Sequence, residues 1–340
     1  MAQGKDAIPA GRPTVSSVAA YAGVSRQTVS NALNNPERLQ PETLERVLTA
    51  IRDTGYVRSA AARQMRTSRS RTLGFRLEPV RDGIGGAVLD SFLHSLAQQA
   101  EEHQYRITLY TADSDASERR QFERLTREGA SDGFVLFGTH ASDSRYEWLA
   151  ERGIPYAVFG RPWDLPEAGV QHPWVDVDGA AGTAAATRHL LELGHRRIGF
   201  IGWPEGSGTG ADRQRGWQET LSATGLGASD VQNLVTRDSD GILEGGRAAR
   251  ALSERGATAF VCASDSLAIG AYQASGAAVV GFDDSPTAAA IGLSSVSQPV
   301  QDCASRVLDA VFTQLDGGGP GAPAVLQPTL VVRDSSRALD

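Results

Sequence analysis

The chain has 340 residues, of which 41% are hydrophobic and 21% charged, and a formal net charge of −7. At roughly 100–200 residues per domain that length allows two or three domains, and the supply of Val, Ile, Leu and Phe excludes a largely disordered polymer. No apolar run approaches the ~18–20 residues of a membrane-spanning helix. The stretch Met1–Pro13 lacks the apolar block of a secretory signal. Two cysteines, Cys262 and Cys303, make neither a disulfide framework nor a zinc-ligand spacing. A cytoplasmic protein with reduced thiols, no metal and no cofactor is expected.

The charge is unevenly placed. The first seventy residues hold ten basic and five acidic side chains, so the acidic surplus lies wholly in the remainder. A basic head on an acidic body predicts that the head meets a polyanion.

Thr14–Gly55 reads as three short helices. Ser16 is the expected cap of the first, Ser17–Ala22, with Val18 and Ala22 four apart on one face. Gly23 permits a sharp turn. Ser25 caps a second helix, Arg26–Leu33, which Asn34-Asn35-Pro36 ends. The third starts at Pro41, places Leu44, Val47, Leu48 and Ile51 on one face, and stops at Gly55. This spacing is that of a helix-turn-helix, whose second helix enters the major groove of DNA. Arg26, Gln27, Thr28 and Asn31 are then the base-reading residues, each good Arg–guanine or amide–adenine pair giving ~1–3 kcal/mol of discrimination. Ser25, Ser30 and Asn34 are placed to meet phosphates.

The run from Ser17 through Asn34 (Ser-Val-Ala-Ala-Tyr-Ala-Gly-Val-Ser-Arg-Gln-Thr-Val-Ser-Asn-Ala-Leu-Asn) resembles the N-terminal signature of the lactose-repressor (LacI) family of bacterial transcription regulators. Gly55-Tyr56 and Ala62-Arg63-Gln64-Met65 resemble that family's hinge. The resemblance implies a homodimer on a pseudo-palindromic operator in double-stranded DNA. The hinge segment Ser59–Met65 is Ala-rich but only about two turns long, and isolated helices shorter than ~12–15 residues are marginal in water. It is expected to fold when two copies meet in the minor groove, with Ala62, Arg63 and Met65 at the DNA. The resemblance gives Met65 the role of the apolar wedge that kinks the central base step, where the family commonly has Leu.

From Thr72 onward strands and helices alternate. Apolar strands are predicted at 72–77, 106–110, 133–137, 156–159, 198–201, 259–262 and 278–281, with helices such as 88–102, 181–193 and 214–223 between them. Such alternation gives parallel sheets covered on both faces, and so long a body predicts two lobes with a ligand between them at strand C-terminal ends. The resemblance extends here through Val175–Gly179, His189–Ile198, Arg213–Trp217, Val280–Asp284, Gln298-Pro299 and Leu330–Ser335. The fold class expected is an all-α helix-turn-helix headpiece joined to an α/β periplasmic-binding-protein-like core of two doubly wound parallel-sheet lobes. The domain plan is an arm over 1–13, a DNA-binding domain over 14–57 and a hinge over 58–70. An N-terminal lobe of 71–161 and 299–316 and a C-terminal lobe of 162–298 and 317–340 complete it.

The resemblance makes Arg213 and Asp283 contacts of a small-molecule effector, suited to sugar hydroxyls. Ser264 stands where the family often has Asn, so Asp265 is taken as the neighbouring contact. Trp163, Trp174 and Trp203 fall in loops or at the lobe crossover, where aromatic rings would stack on a pyranose and favour a sugar or oligosaccharide. Asp82, with the loop Gly83–Gly86, and Gly138–His140 follow the first and third strands. The segment Gly270–Val280 is shorter than the family's usual connection, and predicts a remodelled lobe or lost residues.

The function expected is repression of carbohydrate-utilisation genes, relieved by a sugar effector. Corepressor-dependent or activating regulation by another metabolite is the alternative. Gly206-Ser-Gly-Thr-Gly-Ala211 fits a dinucleotide-binding fingerprint and leaves a remote oxidoreductase reading, weakened because Trp203–Glu205 separate the glycines from the strand. The short tail after Leu330 has no room for a heptad-repeat helix, so a dimer is expected.

Overall fold

The computed structural model describes residues 13–57, 64, 69–77, 86–140, 143–163 and 172–337. The expected contacts Asp82, Ala62, Arg63 and Met65 lie outside them. The chain divides into a small unit up to Arg69 and a large one from Ser70.

In the small unit, α1 (Val15–Ala22), α2 (Arg26–Asn34) and α3 (Pro41–Thr54) close around Val18, Ala22, Val29, Ala32, Val47 and Ala50. Ser16 is not the first cap. Thr14 is, because its hydroxyl accepts from the Ser17 N–H while Ser17 Oγ accepts from the Thr14 N–H at 2.8 Å, a reciprocal box that Ser16 cannot close. Gly23 ends α1 at φ 63°, a left-handed turn a side chain would oppose. Ser25 caps α2 and Pro41 opens α3 as expected. Leu48 departs from expectation: it is 38% exposed, and the buried stripe of α3 runs through Val47, Ala50 and Thr54. Tyr21 Oη donates to Asp53 at 3.2 Å and ties α1 to α3.

The large unit holds two six-stranded sheets. The first takes β1 (Thr72–Arg76), β2 (Arg106–Tyr110), β3 (Gly133–Phe137), β4 (Tyr156–Phe159), β5 (Trp174–Val177) and β11 (Ala324–Leu326), in the order β11-β5-β4-β3-β1-β2. Helices α4 (Ala87–Glu102) and α13 (Val300–Leu315) bury one face through Phe92, Leu96, Val307 and Val311. On the other face α5 (Asp115–Arg127) and α6 (Arg145–Glu151) pack through Phe122, Leu125, Tyr146 and Leu149.

The second sheet takes β6 (Ile198–Gly202), β7 (Val235–Arg237), β8 (Ala259–Cys262), β9 (Ala278–Phe282), β10 (Ser294–Ser297) and β12 (Thr329–Val331), in the order β12-β10-β9-β8-β6-β7. All pairs are parallel except β10 with β12, so the lobe carries one antiparallel edge. Around it stand α7 (Gly179–Glu192), α8 (Gly208–Ser222), α9 (Ala228–Asn233), α10 (Ile242–Glu254), α11 (Asp265–Ser275) and the short α12 (Pro286–Ala290). Trp217, Phe200, Phe260 and Phe282 fill the core.

The expected lobe boundary shifts. Trp174–Val177 and Ala324–Leu326 hydrogen-bond into the first sheet, so the chain crosses to the second lobe after Val177 rather than at 162, and leaves the first lobe for good only after Leu326. The short Gly270–Val280 connection also departs from expectation. Because α11 starts directly after β8, Ala263 to Ala277 supplies the dozen or more residues a parallel crossover needs. Gly276, at φ 62°, closes the helix, and β9 pairs with β8 in unbroken register.

Candidate recognition helix and ligand cleft

The outer face of α2 is built by default, since Val29, Ala32 and Leu33 turn inward. Arg26 and Gln27 are exposed, and Thr28, Ser30 and Asn31 half-buried. Gln27 Nε2 donates to Asn31 Oδ1 at 3.1 Å, so the two amides expected to read bases are held together, one turn apart. Ser25 is occupied: its hydroxyl accepts from the Thr28 N–H at 3.0 Å and shares a hydrogen bond with Thr28 Oγ1 at 2.8 Å. Asn34 donates to the Ser30 carbonyl at 2.7 Å and to its hydroxyl at 3.3 Å. Even with Ser25 as its cap, the N-terminal end of α2 carries a partial positive charge that favours phosphate.

In the large unit a cavity of about 210 Å³ lies between the two lobes. Phe137, Gly138, Thr139, Phe159 and Asp176 line it from the first sheet, at or just beyond strand C-terminal ends. Trp203, Ser207, Thr209, Arg213, Asp240, Phe282, Asp283 and Gln298 line it from the second lobe.

Arg213 projects from α8 and is only 5% exposed. Its guanidinium lies 3.7 Å from the Phe282 ring centroid and 5.0 Å from that of Trp203, a cation held between two aromatic faces. Nη1 donates to the Ala263 carbonyl at 2.5 Å and approaches Asp283 Oδ1 at 3.5 Å. Its Nε, like the indole N–H of Trp203, is buried with no hydrogen-bond partner among the described residues. Such donors are costly unless something occupies the cavity.

Asp283 stands just past β9 at φ 111°, and Asp284 follows at φ 51°. Non-glycine residues seldom adopt such angles, and here they are over-determined. The Asp283 N–H donates to the Val296 carbonyl at 2.8 Å, Asp284 pairs with Arg333 at 2.6 Å, and the Asp284 N–H donates to Ser295 Oγ at 2.9 Å. The kink aims the Asp283 carboxylate into the cavity, where Gln298 Nε2 donates to it at 2.7 Å. Burial pushes its pKa up to about 7, against the pull of Arg213 and with a further push from Asp265 and Asp240. Asp176 is also raised by burial, with Arg161 opposing from 2.6 Å.

The other expected contacts divide. Trp203, Gly138 and Thr139 line the cavity. Trp174 does not: it is a β5 residue packed on the Tyr146–Leu149 cluster. Asp265 does not either. It is 1% exposed and accepts from Ser295 Oγ and the Ser285 N–H, both at 2.6 Å, which fixes the loop beneath Asp283. Ser264 caps α11 and hydrogen-bonds Asp240 Oδ1. His140 turns to Asp115 at 3.0 Å. Trp163 sits beside the cavity, on Gly208. Sequence reasoning missed Asp240 and gave Gln298 no role; Gln298 directly follows β10 and Asp240 lies three residues past β7, and the C-terminal ends of these short strands are the signal that could have found them. The Gly206–Ala211 run is the approach and first turn of α8, capped by Ser207 accepting from the Gly210 N–H at 3.1 Å.

Among the described residues no helix is long and apolar enough to cross a membrane. Residues 14–59 match the family of bacterial regulatory proteins of the lacI type, and residues 187–336 match the periplasmic binding protein-like domain. The HTH-type transcriptional regulator CelR of Thermobifida fusca is 33% identical over 346 aligned positions, covering 95% of this chain and 98% of that protein. A solved complex of a regulator CelR with cellobiose is 30% identical, with a TM-score of 0.68 and coverage of 95% and 100%. The Lac repressor dimer bound to operator, at 20% identity, shares the fold, with a TM-score of 0.79 over 96% of this chain and 99% of that one. With a helix-turn-helix ahead of a two-lobed core and relatives alike end to end, the chain is a DNA-binding transcriptional regulator, not an oxidoreductase, and it belongs to the LacI family.

Proposed function

We propose that this regulator is a homodimeric repressor of carbohydrate-utilisation genes in the bacterial cytoplasm, released from a pseudo-palindromic operator when a sugar or oligosaccharide enters the cleft. The observation that carries the reading is the Arg213–Asp283–Gln298 constellation set between Trp203 and Phe282. A pyranose presents hydroxyls around its rim and apolar C–H faces, so it needs donors, carboxylate acceptors and flat aromatic surfaces together. The cleft supplies all three, and its buried Nε of Arg213 calls for an acceptor. The cellobiose complex of the CelR relative supports the same ligand class.

In this reading Arg26, Gln27, Thr28 and Asn31 read bases, Ser25, Ser30 and Asn34 meet phosphates, and Ala62, Arg63 and Met65 engage the minor groove. The effector acts by differential affinity: bound between the lobes, it favours a core geometry that holds DNA less well. The test is fluorescence polarisation of labelled DNA from upstream of the gene, titrated with the protein in the presence of cellobiose, maltose or their monomers. A drop in operator affinity with one of these supports the reading. Unchanged affinity across the panel, together with no thermal stabilisation by any of them, refutes the carbohydrate assignment.

A further inference from the structure

One contact between the lobes lies outside the ligand constellation and uses none of its residues. Trp163 follows β4 in the first lobe, while Gly208 opens α8 in the second. The indole lies flat against Gly208: a Cβ there would meet Trp163 Cγ, Cδ1 and Cδ2 at 2.1, 2.3 and 2.4 Å. On the first-lobe side Arg161 lies over the same ring, 4.7 Å from its centroid. Arg161 is anchored in its own lobe on Asp176 at 2.6 Å and reaches towards Asp212 of α8 at 3.9 Å. The stack therefore runs from a guanidinium through an indole to a bare helix turn. That same turn presents Ser207 and Thr209 to the cavity.

We propose that Trp163, backed by Arg161 and seated on Gly208, is an interlobe clasp that sets how far the cleft closes and so its affinity for effector. Three features support it. The seat must be glycine, since no other residue leaves room for the ring. An exposed tryptophan would gain nothing from a bare backbone, whereas a closed one buries a large apolar face. The indole N–H is buried without a hydrogen-bond partner among the described residues, a cost that the seated position imposes and that opening relieves. Arg161 couples the clasp to the cleft, because its anchor Asp176 is itself a lining residue. Trp163 is thus a positioning residue. It does not line the cavity, and it biases the two-state lobe equilibrium on which ligand binding acts. The consequence for DNA release rests on the function proposed above, whereas closure is measurable with no ligand present, so the two ideas fail separately.

The experiment uses the full chain carrying Glu123→Cys and Gln232→Cys, both exposed and one in each lobe, labelled with nitroxides for pulsed dipolar EPR. The native Cys262 and Cys303 are buried and escape labelling. Gly208→Ala is the wedge. Alanine is the better helix former, so helix propensity alone predicts no harm, yet its methyl must drive the ring back by roughly 1 Å or more to reach ordinary contact. The expected result is an outward shift of the ligand-free interlobe distance in Gly208→Ala. Trp163→Ala is expected to broaden the distribution, and adding Gly208→Ala to it should produce no further shift. An unchanged distance in Gly208→Ala, or an equal shift with and without Trp163, overturns the proposal. Should Gly208→Ala fail to melt cooperatively, an unchanged distribution in Trp163→Ala overturns it instead.

Discussion

Asp283 offers a test of whether the cleft holds charge at a cost to stability. Its carboxyl titrates at about 7 against an ordinary 3.8, chiefly because it is buried. Above pH 5 the unfolded chain has released this proton while the folded protein still holds it, so stability falls as pH rises through 7. Integrating the difference in bound protons from about pH 5.5 to about pH 7.5 gives about 2 kcal/mol, present at the lower pH and lost at the higher. For a large domain this amounts to roughly 4 °C in melting temperature. Asp283→Asn removes the titration together with the long ion pair to Arg213 at 3.5 Å, and so resembles the protonated carboxyl. Asparagine tolerates the positive φ, and its Oδ1 still accepts from Gln298, which now bonds at 2.7 Å. The assay is paired thermal melts of the native protein and Asp283→Asn across that pH range. The melting temperature of the variant minus that of the native protein should grow by roughly 4 °C from the lower pH to the higher, with other titrating groups cancelling. The variant should be the more stable at neutral pH and yet lose its effector response, since an amide cannot replace the charged acceptor. A difference independent of pH would refute the argument, as would a variant less stable throughout.

Other expectations follow from single contacts. Gln27→Ala removes one amide of the Gln27–Asn31 pair, and should relax base preference at one operator position by ~1–3 kcal/mol while leaving the salt dependence of binding unchanged, as read by polarisation on operator variants. Thr14→Ala opens the reciprocal cap of α1 and should cost about 1 kcal/mol in headpiece stability by denaturant melts. Arg145 is fully buried between Asp143, at 2.5 Å, and Glu118, at 3.0 Å, and also donates to the carbonyls of Phe137 and Gly138. Arg145→Met should cost about 3–5 kcal/mol, because the buried Asp143 loses its arginine and the buried Glu118 is left with Arg76 alone, at 2.7 Å, and it should loosen the Gly138 wall of the cleft. Chemical denaturation measures the first effect and effector titration the second.

The headpiece was legible because its punctuation is local. Ser25, Gly23, Pro41 and Gly55 each act on backbone groups within a few residues, so their types alone fix where helices start and stop. Thr14 and Ser16 are both good caps by type, and only the reciprocal bond with Ser17 chooses between them. Leu48 is a different case. Periodicity places it near the apolar stripe of α3, but the described residues of the small unit cover Val47 and leave Leu48 38% exposed.

The gaps in the ligand site trace to gaps in the strands. Most of the strands read from sequence are apolar runs, as central parallel strands are. The ones missed are short or polar: Trp174-Val-Asp-Val177, Val235-Thr-Arg237, Ser294-Ser-Val-Ser297 and the two tail strands. Ser294 and Ser295 are fully buried, and their hydroxyls are satisfied by the Arg333 carbonyl and by Asp265, partners far away in sequence. Each missed strand hid a consequence. Without β5, Trp174 looked like a crossover loop residue when it is a half-buried strand residue packed against the core, and Asp176 went unnoticed. Without β7 there was no strand end to draw attention to Asp240. Without β10, Gln298 was only part of a landmark. In an α/β protein the ligand meets the C-terminal ends of strands, so a site can be read only as well as its strands can. Arg213 and Asp283 were found because the family resemblance marked them, whereas Asp240, Gln298 and the seat of Trp163 on Gly208 needed the sheet order and the approach of the two lobes, which no local pattern encodes.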